Sequence, residues 1–211
     1  MSTDEHFLVT GAGGCIGAWA VRLLLDAGVR VTASDLADDL PRLRLITDDG
    51  QAEPDFVRLD VTSTKDVTEV VAGRGITHIV HLAGLQMPFC AANPPLGAAV
   101  NVGGTINMFE AVKAAGRRIG LCYASSAAVF GSSSFFSAGV IGDDSPLRPE
   151  THYGVYKAAN EGTARTYAMI DGIVANPTPL ARTQHTLRGS CMAGRENNHA
   201  VPRLATTPAT R

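Results

Sequence analysis

The sequence predicts an α/β fold built on a doubly wound parallel sheet. Three observations carry that expectation. Short apolar runs closed by glycine or an acidic residue recur along the first 125 residues. Segments with the helical period separate them, as βαβ units with right-handed crossovers require. The first run ends in the turn Thr10-Gly11-Ala12-Gly13-Gly14-Cys15-Ile16-Gly17, the kind of glycine-rich step that joins a buried strand to a helix.

The elements follow in order. His6–Thr10 is an apolar run and reads as a buried parallel strand. From Ile16 to Ala27, apolar residues at 16, 20, 21, 24 and 25 form a helical stripe that Gly28 stops. Val29–Ser34 is a second strand ending at Asp35, and Asp55–Leu59 a third ending at Asp60. Thr62–Ala72 reads as a helix capped by Thr62 or Ser63. Ile76–His81 is a fourth strand, closed by Leu82-Ala83-Gly84. Pro95–Ala115 reads as one long helix ending at Gly116, and Ile119–Ala124 as the fifth strand. A long loop holds Ser132–Ser137 and Asp143–Pro146; loops of that length are more often functional than mere connectors. Thr151–Ile170 is a second long helix with Thr151 as its cap.

Bulk properties narrow the function classes. A chain of 211 residues with 45% hydrophobic and 18% charged residues can bury a full core. A net charge of -2 offers no electrostatic footprint for nucleic acid or an anionic membrane, and no apolar run is long enough to span a bilayer. The acidic start Met1–His6 leads straight into a strand without the pattern of a secretory leader. Cys15, Cys90, Cys122 and Cys191 form neither a Cys-x-x-Cys pair nor a metal-like group with histidine. The expectation is a cytoplasmic protein with reduced thiols and no metal, acting on a small molecule.

The glycine turn is a candidate dinucleotide cradle. Gly11 permits the tight turn, Gly14 lets the backbone approach a pyrophosphate, and Gly17 lets the helix pack close to the sheet. Phosphates would then meet the helix start at Cys15 and Ile16. Asp35, 18 residues after Gly17, is placed to accept hydrogen bonds from the adenosine ribose hydroxyls and to repel the 2′-phosphate of NADP, which favours NAD. A helix-capping role before Leu36 is the plainer alternative. Two glycines, Gly103 and Gly104, inside a predicted helix imply close packing against a neighbour.

Tyr153-Gly154-Val155-Tyr156-Lys157 places Tyr153 and Lys157 four residues apart on one helix face. A phenol titrates near pH 10, and a Lys ammonium beside it together with a positive nicotinamide nearby would favour the phenolate needed for general base work. Tyr156 has the wrong spacing to Lys157 for such a relay. Taken alone, a Tyr-x-x-x-Lys is also what a half-buried Tyr above a surface Lys looks like, and serines after a strand also occur as turn formers.

In combination these segments resemble the extended short-chain dehydrogenase/reductases, the NAD-dependent epimerase/dehydratase family, over about residues 6–172. Tyr123-Ala124-Ser125-Ser126-Ala127-Ala128-Val129-Phe130-Gly131 is similar to that family's Ser-Ser-x-x-Val-Tyr-Gly segment, with Phe130 where Tyr is commoner. The resemblance implies that Ser126 orients the substrate and shares a hydrogen bond with Tyr153, and that Ser125 makes a backbone or cofactor contact. It further implies that Lys157 bonds the nicotinamide ribose and that Asp60, before Val61, contacts the adenine edge, although Asp60 could equally cap the following helix. Leu82, Ala83 and Gly84 match the family's small-residue turn beneath the cofactor. Asn101-Val102-Gly103-Gly104-Thr105 matches its Asn-Val-x-Gly-Thr segment, which implies a cofactor contact for Asn101. His81 and His152 are expected to be structural or cofactor-lining, and Gln86, Met87 and Pro88 to approach substrate. Helices near 95–115 and 151–170 often form a homodimer interface in the family, although Ala98, Val102, Ile106, Met108, Phe109 and Val112 suit a core equally well.

The implied activity is hydride transfer on a sugar-type hydroxyl or carbonyl, with a nucleotide sugar favoured. A non-catalytic NAD-binding module or an inactive fragment is the alternative. The resemblance ends near Gly172. Residues 174–211 hold five Arg against the single Glu196, with four Pro, six Thr and no aromatic residue. This stretch is read as an irregular tail, disordered or frameshifted. A domain over 1–173, with its sixth strand and substrate domain missing, is therefore the expectation.

Overall fold

In the computed structural model the described residues are 4–47, 52–135, 141 and 145–179. Strand β1 (His6–Thr10) is buried along its whole length, as the central strand of a sheet covered on both faces must be. Its neighbours are β2 (Arg30–Asp35) and β4 (His78–His81). β3 (Asp55–Arg58), β5 (Gly120–Ser125) and β6 (Ala175–Pro179) complete the order β3-β2-β1-β4-β5-β6, and every pairing is parallel. The strand order reverses between β1 and β4, so the carboxyl ends of those two strands open a crevice where ligands bind in such folds.

Strand alternation divides the core. Leu8, Ile79, Leu121 and Tyr123 face one side, with Val67 and Val71 of α3 (Thr64–Gly73) and Met108, Phe109 and Val112 of α6 (Gly104–Ala114). Val9, Val31 and Ala33 face the other, with Ala18 and Val21 of α1 (Cys15–Asp26) and Leu43 of α2 (Pro41–Ile46). Phe109 stacks on Tyr167 with centroids 4.6 Å apart and meets Tyr123 edge-on. Tyr167 belongs to α7 (His152–Asp171), the helix that covers β5. The caps agree with the sequence pattern: Ser63 Oγ accepts from Asp66 N, and Thr151 Oγ1 accepts from Gly154 N. α7 ends at Gly172, in the left-handed region at φ 68° that favours glycine.

Two expectations are corrected. The sixth strand is present: β6 pairs with β5 from Leu121↔Ala175 to Ser125↔Pro179, so the sheet continues past residue 173. Its signal was masked by Pro177 and Pro179, which a strand tolerates on the side that lacks a partner. The predicted helix over 95–115 is interrupted. It comprises α5 (Pro94–Ala98), a π turn at Ala99–Gly103 and α6, and is preceded by α4 (Met87–Ala92), which the sequence reading missed, as it missed α2. The wide turn directs Asn101 inward, where it is 1% exposed. Gly104 packs so closely that an added Cβ would lie 2.8 Å from Val61 Cγ2. Met108, Phe109 and Val112 are spent on this chain's own core. Residues 180–211, Ser137, Asp143 and Asp144 lie outside the described residues.

Three histidines bear on stability. His6 and His78 are pushed below the ordinary value, mainly by burial. His81 is pushed to about 3 by burial, with the Lys157 ammonium adding to it. The unfolded chain therefore binds a proton at each of these sites below about pH 6.5, and the native state resists it. Stability should fall as pH drops from about 6.5, by roughly 1.4 kcal/mol per pH unit for His81 alone. Denaturant midpoints at pH 7 and pH 5 measure this. His81→Gln should flatten the dependence; an equal slope in that variant would contradict the assignment.

Candidate active site

The cradle forms where β1 turns into α1. Gly11 has φ 71°, and a Cβ there would lie 2.7 Å from Ala83 N. A Cβ on Gly17 would lie 2.1 Å from Gly11 O, so only glycine lets the helix come this close. Gly14 N donates to Gly11 O, which closes the turn. The first amides of α1, at Cys15, Ile16 and Gly17, have no carbonyl a turn earlier within the helix and stand at its positive end. Such a start accepts an anionic group.

A cleft runs from this turn across the carboxyl ends of β1, β2 and β4. Of the residues expected to hold a cofactor, Gly11, Gly14, Asp35, Asp60, Val61, Leu82, Ala83 and Gly84 line it. Asp35 Oδ2 accepts from Gly13 N at 2.8 Å and its Oδ1 from Leu36 N. The carboxylate thus anchors the turn while facing the cleft, and caps no helix, since α2 begins only at Pro41. Asp60 Oδ1 accepts from both the amide and the hydroxyl of Thr62, a local turn ahead of the Ser63 cap of α3, and Asp60 also borders the cleft. Thr10, Ser34, Leu59, Leu85 and Val100 are lining residues that the sequence reading missed. The position of Thr10 just before Gly11 was a signal for it.

Thr10 also fixes His81. Its hydroxyl accepts from Leu82 N and Ala83 N and lies 2.8 Å from His81 Nδ1. The hydroxyl proton is therefore given to Nδ1, and the neutral ring keeps its own proton on Nε2. His81 is a structural prop for the turn under the cleft, as expected.

The side chains expected to react, Ser126, Tyr153 and Lys157, come from the turn after β5 and from α7. Lys157, 7% exposed, donates from Nζ to Ala124 O at 2.9 Å. Burial lowers it to about 8, opposed by nearby Cys90. Tyr153 shares a side-chain hydrogen bond with Ser126, and the Lys157 ammonium lies 5.6 Å from the centre of its ring. Ser126 Oγ also accepts from Ala128 N. Close approach of the two elements explains Gly154: a Cβ there would lie 2.4 Å from Ala128 O. Gly84 joins this group to the cleft, since its Cβ would lie 2.7 Å from Asn101 Oδ1 and 3.8 Å from Lys157 Nζ.

Several expectations change in detail. Tyr153 is raised, not lowered: burial outweighs the Ser126 hydrogen bond, and the Cys90 thiol adds to the rise. Lys157 sits over the ring face, away from the place where its charge would favour the phenolate most. Asn101 spends its side chain on Leu85 N, Leu85 O and Cys90 Sγ, so it fastens the loop beside the cleft rather than reaching into it. Ser125 donates to Glu161 Oε1 at 2.5 Å, a partner the sequence reading missed. Tyr156 bonds Pro94 O and ties α7 to α5, consistent with its exclusion from the relay.

The comparisons agree with this geometry. The family model described as GDP-mannose 4,6 dehydratase matches residues 8–208. UDP-glucose 4-epimerase 3 of Oryza sativa subsp. japonica is 32% identical over 171 residues, covering 78% of this chain and 45% of that protein. The chain thus spans about half the length of the curated relatives it matches. UDP-glucose 4-epimerase from Brucella ovis, solved with NAD, shares the fold at TM-score 0.72 and 22% identity, over 83% of this chain and 51% of that one. dTDP-glucose 4,6-dehydratase from Streptomyces venezuelae, with NAD bound, aligns at TM-score 0.72 and 26% identity over 83% of this chain and 55% of that one. The sheet order, the glycine turn and the extent of the family match lead to one assignment: the chain belongs to the NAD-dependent epimerase/dehydratase family of extended short-chain dehydrogenases/reductases.

Proposed function

We propose that this chain carries the NAD-binding and acid–base half of an epimerase or dehydratase acting on a sugar hydroxyl, with a nucleotide sugar as the favoured substrate class. The observation that carries the reading is that Gly84, which lines the cleft beside the glycine cradle, stands next to Lys157 of the Ser126–Tyr153–Lys157 group. The residues fit NAD. The start of α1 takes the pyrophosphate, Asp35 takes the adenosine ribose, and the small turn Leu82–Gly84 leaves room for the cofactor above Lys157.

Bound there, NAD supplies the hydride acceptor. The protein's own residues handle the proton. Ser126 holds the substrate oxygen within reach of Tyr153 Oη, and Tyr153 withdraws its proton. Since burial, with the Cys90 thiol adding to it, holds the phenol above its usual value, positive charge has to offset it. Lys157, at about 8, remains largely protonated at pH 7 and supplies part of that charge while its bond to Ala124 O fixes its place. A homodimer through the 95–115 and 151–170 helices remains part of this reading; Leu96, Val155, Met169 and Ile170 are exposed apolar residues on those segments.

Tyr153→Phe removes only the phenol oxygen. It should lower turnover at least about a thousandfold, the range of a lost acid–base group, and leave NAD affinity within about twofold. Single-turnover absorbance at 340 nm with UDP-glucose or UDP-galactose, alongside NAD titration, reads both. Unchanged turnover would sink the mechanism. Asp35→Ala should shift preference toward NADP by roughly tenfold or more, as removal of one repulsive charge permits. Competition binding checks this, and an unchanged NAD/NADP ratio would remove Asp35 from the ribose site.

A further inference from the structure

Three consecutive residues, the last two of β5 and the one after it, meet α7, and their partners are spaced evenly. Lys157 Nζ reaches Ala124 O at 2.9 Å and Glu161 Oε1 accepts from Ser125 Oγ at 2.5 Å, while Ser126 stands near enough to Tyr153 to hold its phenol down. Residues 153, 157 and 161 are each four apart, so they form one stripe along the helix. The Tyr-x-x-x-Lys pair is therefore two-thirds of a longer seam, Tyr-x-x-x-Lys-x-x-x-Glu, that grips a single tripeptide.

We propose that Glu161 is a positioning residue for the reaction: its bond to Ser125 sets where the adjacent Ser126 hydroxyl stands relative to Tyr153. This rests on Ser126, Tyr153 and Lys157 being the reacting group.

The surroundings leave the strand end in need of such an anchor. On one side β5 pairs with β6, where Tyr123 faces Pro177 and Ser125 faces Pro179. After Ser125 the chain leaves the strand for a short turn, Ala127–Val129, with Ser126 as its cap. Ser125 is only 2% exposed, and its bond to a carboxylate is of the short, charge-assisted kind. Loss of that acceptor would leave a buried hydroxyl without its partner and the Ser126 backbone held by one fewer restraint. Small displacements of a reacting group cost rate far more than they cost binding.

The test compares Glu161→Ala, Glu161→Gln and Ser125→Ala with the parent chain. It reads kcat and KM, NAD affinity, melting temperature, and the Tyr153 phenol titration by ultraviolet difference against Tyr153→Phe in each background. Glu161→Ala should lower kcat about tenfold or more while NAD affinity stays within about twofold. The phenol should titrate higher, because the Ser126 bond that lowers it is loosened. Glu161→Gln keeps an acceptor and should recover most of both effects. Ser125→Ala should reproduce the loss, and the double variant should be no worse than the worse single one. A lower melting temperature with kcat and phenol titration unchanged would overturn the proposal and leave Glu161 a stability residue. Should Glu161→Ala not fold, Ser125→Ala and Glu161→Gln give the same reading. An absence of turnover in the parent chain would count against the proposed function alone, since the phenol titration still reports on Glu161.

Discussion

The site depends on how the end of β5 is clamped to α7. Lys157 gives its ammonium proton to Ala124 O, and that bond does two jobs. It satisfies a cation that burial would otherwise penalise heavily, and it fixes the helix carrying Tyr153 against the strand carrying Ser126. Gly154 makes the approach possible, because any side chain at that position would collide with Ala128 O. The same lysine lies next to Gly84, which lines the cleft, so the Ser126–Tyr153–Lys157 group borders it.

The cradle is a second constraint of the same kind, set by backbone closeness. A Cβ on Gly17 would lie 2.1 Å from Gly11 O, and one on Gly11 would meet Ala83 N. The turn, the start of α1 and the turn after β4 therefore lock one another, with Thr10 bonding both Leu82 N and Ala83 N from below. Asp35 completes the lock through Gly13 N. Residues that a reading for function assigns to the cofactor are thus also the ones that shape the empty turn.

Much of this was legible in the sequence, and the exceptions have physical reasons. The first four strands follow from apolar runs that end in glycine or aspartate and the fifth from a run closed by Ser125 and Ser126, and the caps at Ser63 and Thr151 from the preference of hydroxyl residues for helix starts. Tyr153 and Lys157 are picked out by spacing and Ser126 by the resemblance, and their side chains lie near one another. β6 was missed because Pro177 and Pro179 suppress the strand signal, and the break at Ala99–Gly103 because a π turn preserves the helical period nearly unchanged on either side. Likeness placed Asn101 at a cofactor and Ser125 at backbone or cofactor; their side chains face Leu85, Cys90 and Glu161, and composition and spacing do not report the direction of a polar group. Glu161 had a readable signal, a third residue at the four-residue spacing. The sign of the Tyr153 shift was lost because burial, which opposes charge, cannot be read from spacing.

The central claim is that the cleft at the carboxyl ends of β1, β2 and β4 is an NAD site. Calorimetric titration of the folded chain with NAD, beside Gly14→Asp as the blocked control, tests it most directly. The account predicts one saturable site per chain that the aspartate abolishes, by placing a negative charge where the pyrophosphate must lie. Absence of NAD binding in a chain whose circular dichroism shows the α/β fold intact would contradict it.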